Sequence, residues 1–206
     1  MSVPAIEYRR GMGRWAPDAR GRLARAAIEL FLERGYDDTT VADIATRADL
    51  TERTFFRHYA DKREVLFGGQ EALVDAFLTA IAAAPAVASP MELVGEALEA
   101  SGTFFADRLE FARVRQAVID ANPALQEREL IKLASFADAI ATALVGRGVG
   151  ATAAGLAAEI GMAVFRTAFA RWLEAPPGQA PGEQDLVRHI REVRGELGTL
   201  LVSSPW

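Results

Sequence analysis

Arg53, Thr54, Phe56, Arg57 and His58 crowd into one short stretch beside Phe55 and Tyr59. Wound into a helix, that stretch turns Phe55 and Tyr59 to one side by their i,i+4 spacing and leaves Glu52, Arg53, Thr54, Phe56 and Arg57 for the other faces. Two guanidinium groups, a hydroxyl with its methyl, and a ring are the donors and apolar contacts that base edges and phosphates can use. The chemistry on offer is recognition by hydrogen bond and charge, with no covalent bond made or broken. Catalysis finds no comparable set: the histidines are His58 and His189, cysteine is absent, and no serine stands in a Gly-x-Ser-x-Gly setting. Gly146-Arg-Gly-Val-Gly150 is no phosphate loop, since no strand precedes it and no lysine-threonine pair follows. The expectation is a protein that is not an enzyme, with no cofactor and no metal site, and with His189 on the surface of the last helix.

Such a face is useful only if neighbouring elements hold it outward. Thr40 and Asp43 have capping-box form, so a helix begins at a defined residue, and Val41, Ile44, Ala45 and Ala48 give it an apolar inner side. Asp49 and Leu50 form a turn, with Asp49 at a left-handed position, and Thr51 caps the following helix, which runs to about His58. Upstream, Pro17 to Arg34 is an amphipathic helix with Leu23, Ala27, Leu30 and Phe31 inward, ended by Gly35. Downstream, Asp61-Lys-Arg-Glu64 is another capping box, which predicts a fourth helix over 62–83 with Lys62 beside a DNA backbone.

The order Leu30-Phe-Leu-Glu-Arg-Gly-Tyr36, Thr39-Thr-Val-Ala-Asp-Ile-Ala45, Thr54-Phe-Phe-Arg-His-Tyr59 and Asp61-Lys-Arg-Glu-Val-Leu66 resembles the TetR family of bacterial transcriptional regulators. The resemblance implies an all-α homodimer, with an N-terminal helix-turn-helix headpiece that binds a double-stranded DNA operator and a larger C-terminal domain that binds an effector. Carried over by position, it implies that Thr40 meets a phosphate, that Thr51, Arg53, Thr54, Phe56, Arg57 and His58 face the groove or its rim, and that Lys62 holds backbone phosphate. Two positions depart from the family pattern: Asp49 stands where Gly is usual, and Phe56 where Tyr is usual.

Length and composition are compatible with this. The 206 residues are 50% hydrophobic, which excludes general disorder, and Ala, Leu, Glu and Arg dominate over alternating apolar-polar runs. The absence of cysteine excludes disulfides and thiolate zinc sites. Net charge is −5, unevenly placed: residues 1–67 carry 12 basic and 11 acidic side chains, residues 68–206 carry 11 and 17. A headpiece so mildly positive must bind DNA through localised contacts and not through a broad basic field. Residues 1–15, with Arg9, Arg10 and Arg14 among Gly11 and Gly13, either reach along the adjacent groove or form an unordered terminus. No apolar stretch is expected to reach the roughly 18 residues of a spanning helix, and the N-terminus lacks a signal-peptide core, so a cytoplasmic location is expected.

Punctuation divides the rest into helices near 90–106, 108–121, 123–146, 152–174 and 183–202, with Ser89-Pro90 and Asn122-Pro123 as starts. The domains expected are a headpiece over 16–67 and an effector-binding and dimerisation domain over 68–206. Leu186, Ile190, Val193, Leu197 and Leu200 form a coiled-coil-like stripe, and with Leu156, Ile160 and small residues such as Gly155 and Gly161 they suit a four-helix dimer interface. The same stripe also suits packing within one subunit. Phe104, Phe105, Phe111, Phe136, Phe165, Phe169 and Trp172 are either core or the lining of a pocket. Arg108, Arg113, Arg115 and Arg166, interleaved with them, would suit the anionic head of an amphipathic ligand or serve as surface ion-pair partners.

Asn122-Pro-Ala-Leu-Gln-Glu-Arg-Glu-Leu130 and Ala163-Val-Phe-Arg-Thr-Ala-Phe-Ala-Arg-Trp-Leu173 are similar to the C-terminal domain of TetR-family members grouped with acyl-CoA-responsive and mycofactocin-type regulators. That implies a fatty acyl thioester or similar amphiphile as effector. The expected function is a repressor released by its ligand. A ligand-dependent activator, or a helical-bundle interaction protein without sequence-specific DNA binding, is the alternative.

Overall fold

The computed structural model describes residues 19–106, 108–176 and 185–203. Arg14 and the rest of the N-terminal arm lie outside the described residues. Those described form nine α-helices and one 3-10 turn, with no strand among them. They fall into two compact units, one ending at Gly68 and the other beginning at Gly69.

The first unit is a three-helix module. Helix α1, Ala19–Arg34, buries Leu23, Ala27, Leu30 and Phe31 and hands over to Gly35 at φ 89°, the left-handed residue a helix end favours. Helix α2, Val41–Arg47, starts at a reciprocal cap: the Asp43 amide donates to Thr40 Oγ1 (3.1 Å), and the Thr40 amide donates to Asp43 Oδ2 (3.0 Å). The hydrogen bonds from the Thr40 hydroxyl and amide hold the Asp43 carboxyl below its ordinary pKa. Helix α3, Glu52–His58, is capped by Thr51, whose hydroxyl accepts from the Thr54 amide at 3.2 Å. Between α2 and α3, Asp49 has φ 53°, the one non-glycine residue at positive φ among those described. Arg22 steadies this turn from α1 by donating to the carbonyl oxygens of Ala48 and Asp49 and pairing with the Asp49 carboxylate at 3.5 Å. A left-handed conformation costs an L-residue with a Cβ about 1 kcal/mol. Asp49→Gly is therefore expected to raise the stability of this unit by up to about 1 kcal/mol, because the 3.5 Å ion pair it removes has a fully exposed carboxylate and is worth little. Thermal unfolding checks this; a lowered midpoint would show that the Arg22 pairing outweighs the backbone strain.

The predicted helix over 62–83 is corrected. Asp61 Oδ1 does accept from the amides of Arg63 (2.8 Å) and Glu64 (3.1 Å), but only a 3-10 turn follows, Arg63–Val65. Gly69, at φ 91°, then breaks the run before α4, Gln70–Ala83.

The second unit continues with α5 (Pro90–Phe105), α6 (Leu109–Asp120), α7 (Pro123–Gly146), α8 (Ala151–Glu174) and α9 (Leu186–Ser203). Ser89 and Glu92 form the expected capping box at the start of α5. Asn122 does not cap α7: its side-chain amide turns back to the Val118 carbonyl at 2.6 Å, so it closes the preceding helix. Phe77, Ile81, Leu93, Leu98, Ile140 and Trp172 are the fully buried centre. Helix α5 lies very close to its neighbours, because Gly95 leaves room for the Arg194 guanidinium and Gly161 of α8 for Val94. Gly161 thus serves packing within the subunit. One expectation about apolar stretches also changes: α8 contains an 18-residue window of mean hydropathy 1.3, enough by length and composition to cross a membrane. Its Ala154, Ala157, Ala158, Met162, Phe165, Ala168 and Trp172 are instead spent on the core.

Two pairs of helices are joined by borrowed arginines. Arg147, just past α7, donates to the carbonyls of Ile81, Ala84 and Pro85 at the end of α4, at 2.5, 2.9 and 2.8 Å. Arg113 of α6 donates to Leu173 O at 2.7 Å and to Ala175 O at the end of α8.

Candidate nucleic-acid interface and effector region

Helix α3 is held by its inner side. Phe55 is fully buried, its ring 5.5 Å from those of both Phe56 and Tyr59, and the Tyr59 hydroxyl donates to Arg20 O at 3.2 Å. The opposite side carries Arg53, Arg57 and Phe56, all exposed, with Phe56 at 55%, and Thr54 and His58 half-exposed at its edges. Arg57 Nη2 lies 3.5 Å from His58 Nε2. Thr40 and Thr51, at the two helix starts, are exposed.

What sets this face apart is the use of charge elsewhere in the unit. Arg34 pairs with Asp43, Arg47 with Glu33 and Glu29, Arg63 with Asp61, and Arg22 with the turn. Arg53 and Arg57 have no carboxylate partner among the described residues. A headpiece with almost no net charge therefore still shows two available guanidinium groups on one helix face.

Lys62, expected at a phosphate, is engaged within the headpiece. Its ammonium donates to the carbonyls of Tyr36 (2.7 Å), Thr39 (2.9 Å) and Asp37 (3.3 Å), and sits 4.2 Å from the centre of the Tyr36 ring. An ammonium has three protons, and all three are directed inward. The sequence could not show this, because the acceptors are backbone oxygens more than twenty residues away.

In the second unit the aromatic residues do converge. The Phe105 ring lies 4.9 Å from Phe104, 5.2 Å from Phe169, 5.6 Å from Trp172 and 6.1 Å from Phe165, and Phe77 bridges Phe165 and Phe136 at 6.3 and 6.1 Å. Phe136 and Phe165 are core residues and not lining. Phe104, Phe105 and Phe169 are half-exposed at the margin of that core, as is Phe111 on α6. Arg108 lies over the Phe104 ring at 4.4 Å, and burial lowers the pKa of its guanidinium. The other arginines assigned to a pocket rim have other positions. Arg115 is paired with Glu129 at 2.9 Å, Arg113 finishes α8, and Arg166 is exposed one position beyond Phe165, where the helical turn carries it away from the rings. His189, expected at the surface, is buried, and that burial lowers its pKa.

The dimerisation stripe divides in two. Leu186, Ile190 and Val193 belong to the subunit's own core and Leu197 packs at its margin, because α9 lies against α5 and α8 of the same chain. Leu156 and Leu200 are exposed, at 61% and 65%, and Ile160 is half-exposed.

Two short helices joined by a left-handed turn, the second presenting an unpaired cationic face, make a helix-turn-helix, here followed by a larger helical unit: the class is a DNA-binding regulator. Residues 23–76 match the family described as bacterial regulatory proteins of the tetR family, and residues 88–198, more than half of the chain, match the MftR C-terminal domain. The chain belongs to the TetR family of transcriptional regulators. It is 43% identical over 81 residues to the transcriptional regulator TcmR of Streptomyces glaucescens, a match spanning 39% of this chain and 36% of that one. It is 28% identical over 141 residues to MftR of Mycobacterium tuberculosis, named as a regulator of mycofactocin biosynthesis, over 68% of this chain and 71% of that one. Among solved structures, FadR of Bacillus subtilis in complex with stearoyl-CoA superposes with a TM-score of 0.57 at 18% identity, covering 86% of this chain and 96% of that chain. That last likeness is one of fold.

Proposed function

We propose that the protein is a ligand-responsive repressor of cytoplasmic DNA, with residues 16–67 binding a pseudo-palindromic operator and residues 68–206 forming the homodimer and holding the effector. The observation that carries this reading is the Arg53–Arg57 face of α3, exposed and without a carboxylate partner among the described residues, in a unit where Arg22, Arg34, Arg47 and Arg63 are paired. In this reading Arg53, Phe56 and Arg57 enter the major groove and Thr40, Thr51, Thr54 and His58 stand at its rim. Two such helices about one helical turn apart, roughly 34–36 Å, would meet both half-sites.

Dimerisation is assigned to Leu156, Ile160 and Leu200, the part of the α8–α9 apolar surface that the subunit's own core leaves over. For the effector we propose an acyl-CoA or a fatty acid, its chain among Phe104, Phe105, Phe111 and Phe169 and its anionic end at Arg108. The half-exposed rings, the guanidinium against them, and the fold shared with a FadR described in complex with stearoyl-CoA support this choice. Ligand and operator would then oppose each other with a coupling of about 1–3 kcal/mol.

One experiment tests the whole. Duplexes recovered by the protein from a randomised library are expected to share a two-fold-related sequence and to shift in a gel as a complex of two chains, and stearoyl-CoA is expected to release them. Failure to recover any duplex would remove the DNA reading; complexes of one chain would remove the dimer; indifference to acyl-CoA and to fatty acid would remove the effector class.

A further inference from the structure

Phe56 is the large apolar side chain that helix α3 leaves outside. It is 55% exposed, although Phe55 beside it is fully buried. Its ring stands edge-on to that of Phe55, at 5.5 Å and 81°, so a fixed neighbour limits where it can turn. Spacings of three and four residues from Arg53 put Phe56 and Arg57 on the same side of the helix, and all three are exposed. The cationic face therefore has an apolar ring set into it.

A phenyl ring has no hydrogen-bond donor or acceptor, so it can bond neither a phosphate oxygen nor a polar base edge. Pressed against guanine, cytosine or adenine it would strip water from polar groups and return nothing, which costs free energy. The apolar group that a base edge does offer in the major groove is the C5 methyl of thymine. Resting on the DNA-binding reading, we propose that Phe56 selects thymine at one position of each half-site by packing on that methyl, while Arg53 and Arg57 take polar groups beside it. The tyrosine usual at this position in the family carries a hydroxyl, and its absence here leaves apolar contact as what the ring can contribute. A ring already steadied by Phe55 also loses little freedom on docking.

Replacing thymine with uracil deletes the methyl and leaves the hydrogen-bonding groups of the base edge unchanged. Duplexes recovered by the wild-type protein are expected to share a thymine at one two-fold-related position. Uracil there is expected to weaken binding about fourfold in one half-site and about fifteenfold in both. Phe56→Ala is expected to bind the thymine and uracil duplexes alike. Thr54→Ser, which deletes the threonine methyl at the edge of this face and keeps the hydroxyl, is expected to retain the wild-type ratio.

Recovered duplexes that share no thymine, or uracil without effect at every shared thymine, would overturn the proposal with the wild-type protein alone, whether or not the variants fold. A ratio kept by Phe56→Ala and lost by Thr54→Ser would assign the methyl to Thr54 and overturn it too. Equal weakening of all sequences by Phe56→Ala, with the ratio intact, would place the ring against the sugar-phosphate backbone instead. The two readings fail separately: a protein that recovers no duplex refutes DNA binding itself, whereas one that recovers duplexes indifferent to the methyl refutes only the part given to Phe56.

Discussion

Phe55→Ala unfolds the headpiece at moderate temperature, lowering its stability by about 3–5 kcal/mol. The ring is fully buried and in contact with both Phe56 and Tyr59, so its removal costs the transfer free energy of a large apolar group and leaves a cavity that short helices held by caps close poorly. A loss of this size is comparable with the whole stability of a module this small. DNA binding is expected to disappear with it, although no atom of Phe55 faces outward. Calorimetry of the full chain checks this, as the headpiece transition should fall while that of the larger unit stays. A headpiece stable to within about 1 kcal/mol of wild type would mean that the neighbouring rings refill the space.

The double substitution Arg53→Ala, Arg57→Ala gives the opposite dissociation, with fold retained and binding lost. Both side chains are exposed and take part in no ion pair among the described residues, so truncating them leaves no buried group unsatisfied. Each guanidinium that reads a base is worth about 1–3 kcal/mol, so the pair together should weaken binding of a recovered duplex by about a hundredfold or more. The melting profile should match wild type. Unchanged affinity in the double variant would place the groove-facing surface elsewhere on the protein.

The helix-turn-helix was largely legible in the residues because the signals that build it are local. Thr40 with Asp43 and Thr51 with Thr54 lie three residues apart, and a cap needs nothing from the rest of the chain. The inward turn of Phe55 and Tyr59 follows from helical spacing alone, and Asp49 stands at the left-handed position its place in the turn requires. What could not be read are the places where a side chain answers to a distant backbone. Lys62 is four residues beyond α3 in sequence but bonds to the connection between α1 and α2 in space. Asn122 has the residue type of a cap and the position of one, yet its amide finds Val118 O behind it.

The larger unit is harder for a related reason. Periodicity says which side of a helix is apolar and does not say which neighbour will cover it. The spacing of Leu186, Ile190 and Val193 is the same whether the partner is α5 and α8 of one chain or another copy, and here it is the former. Phenylalanines present the same ambiguity: Phe136 and Phe165 sit at the centre, while Phe104, Phe105 and Phe169 stand at the edge of the same cluster.

The Arg147 and Arg113 bridges make the ends of α4 and α8 dependent on residues from elsewhere in the chain. A helix that is finished by its own next residues can lengthen, shorten or fray independently of its neighbours. These two cannot, since the guanidinium that satisfies each terminus is supplied by α6 or by the close of α7. Melting α6 would strip the end of α8, and loosening the tip of α7 would strip the end of α4. Disorder that starts in one of these segments is thereby passed to another, and the larger unit should come apart as a whole instead of helix by helix.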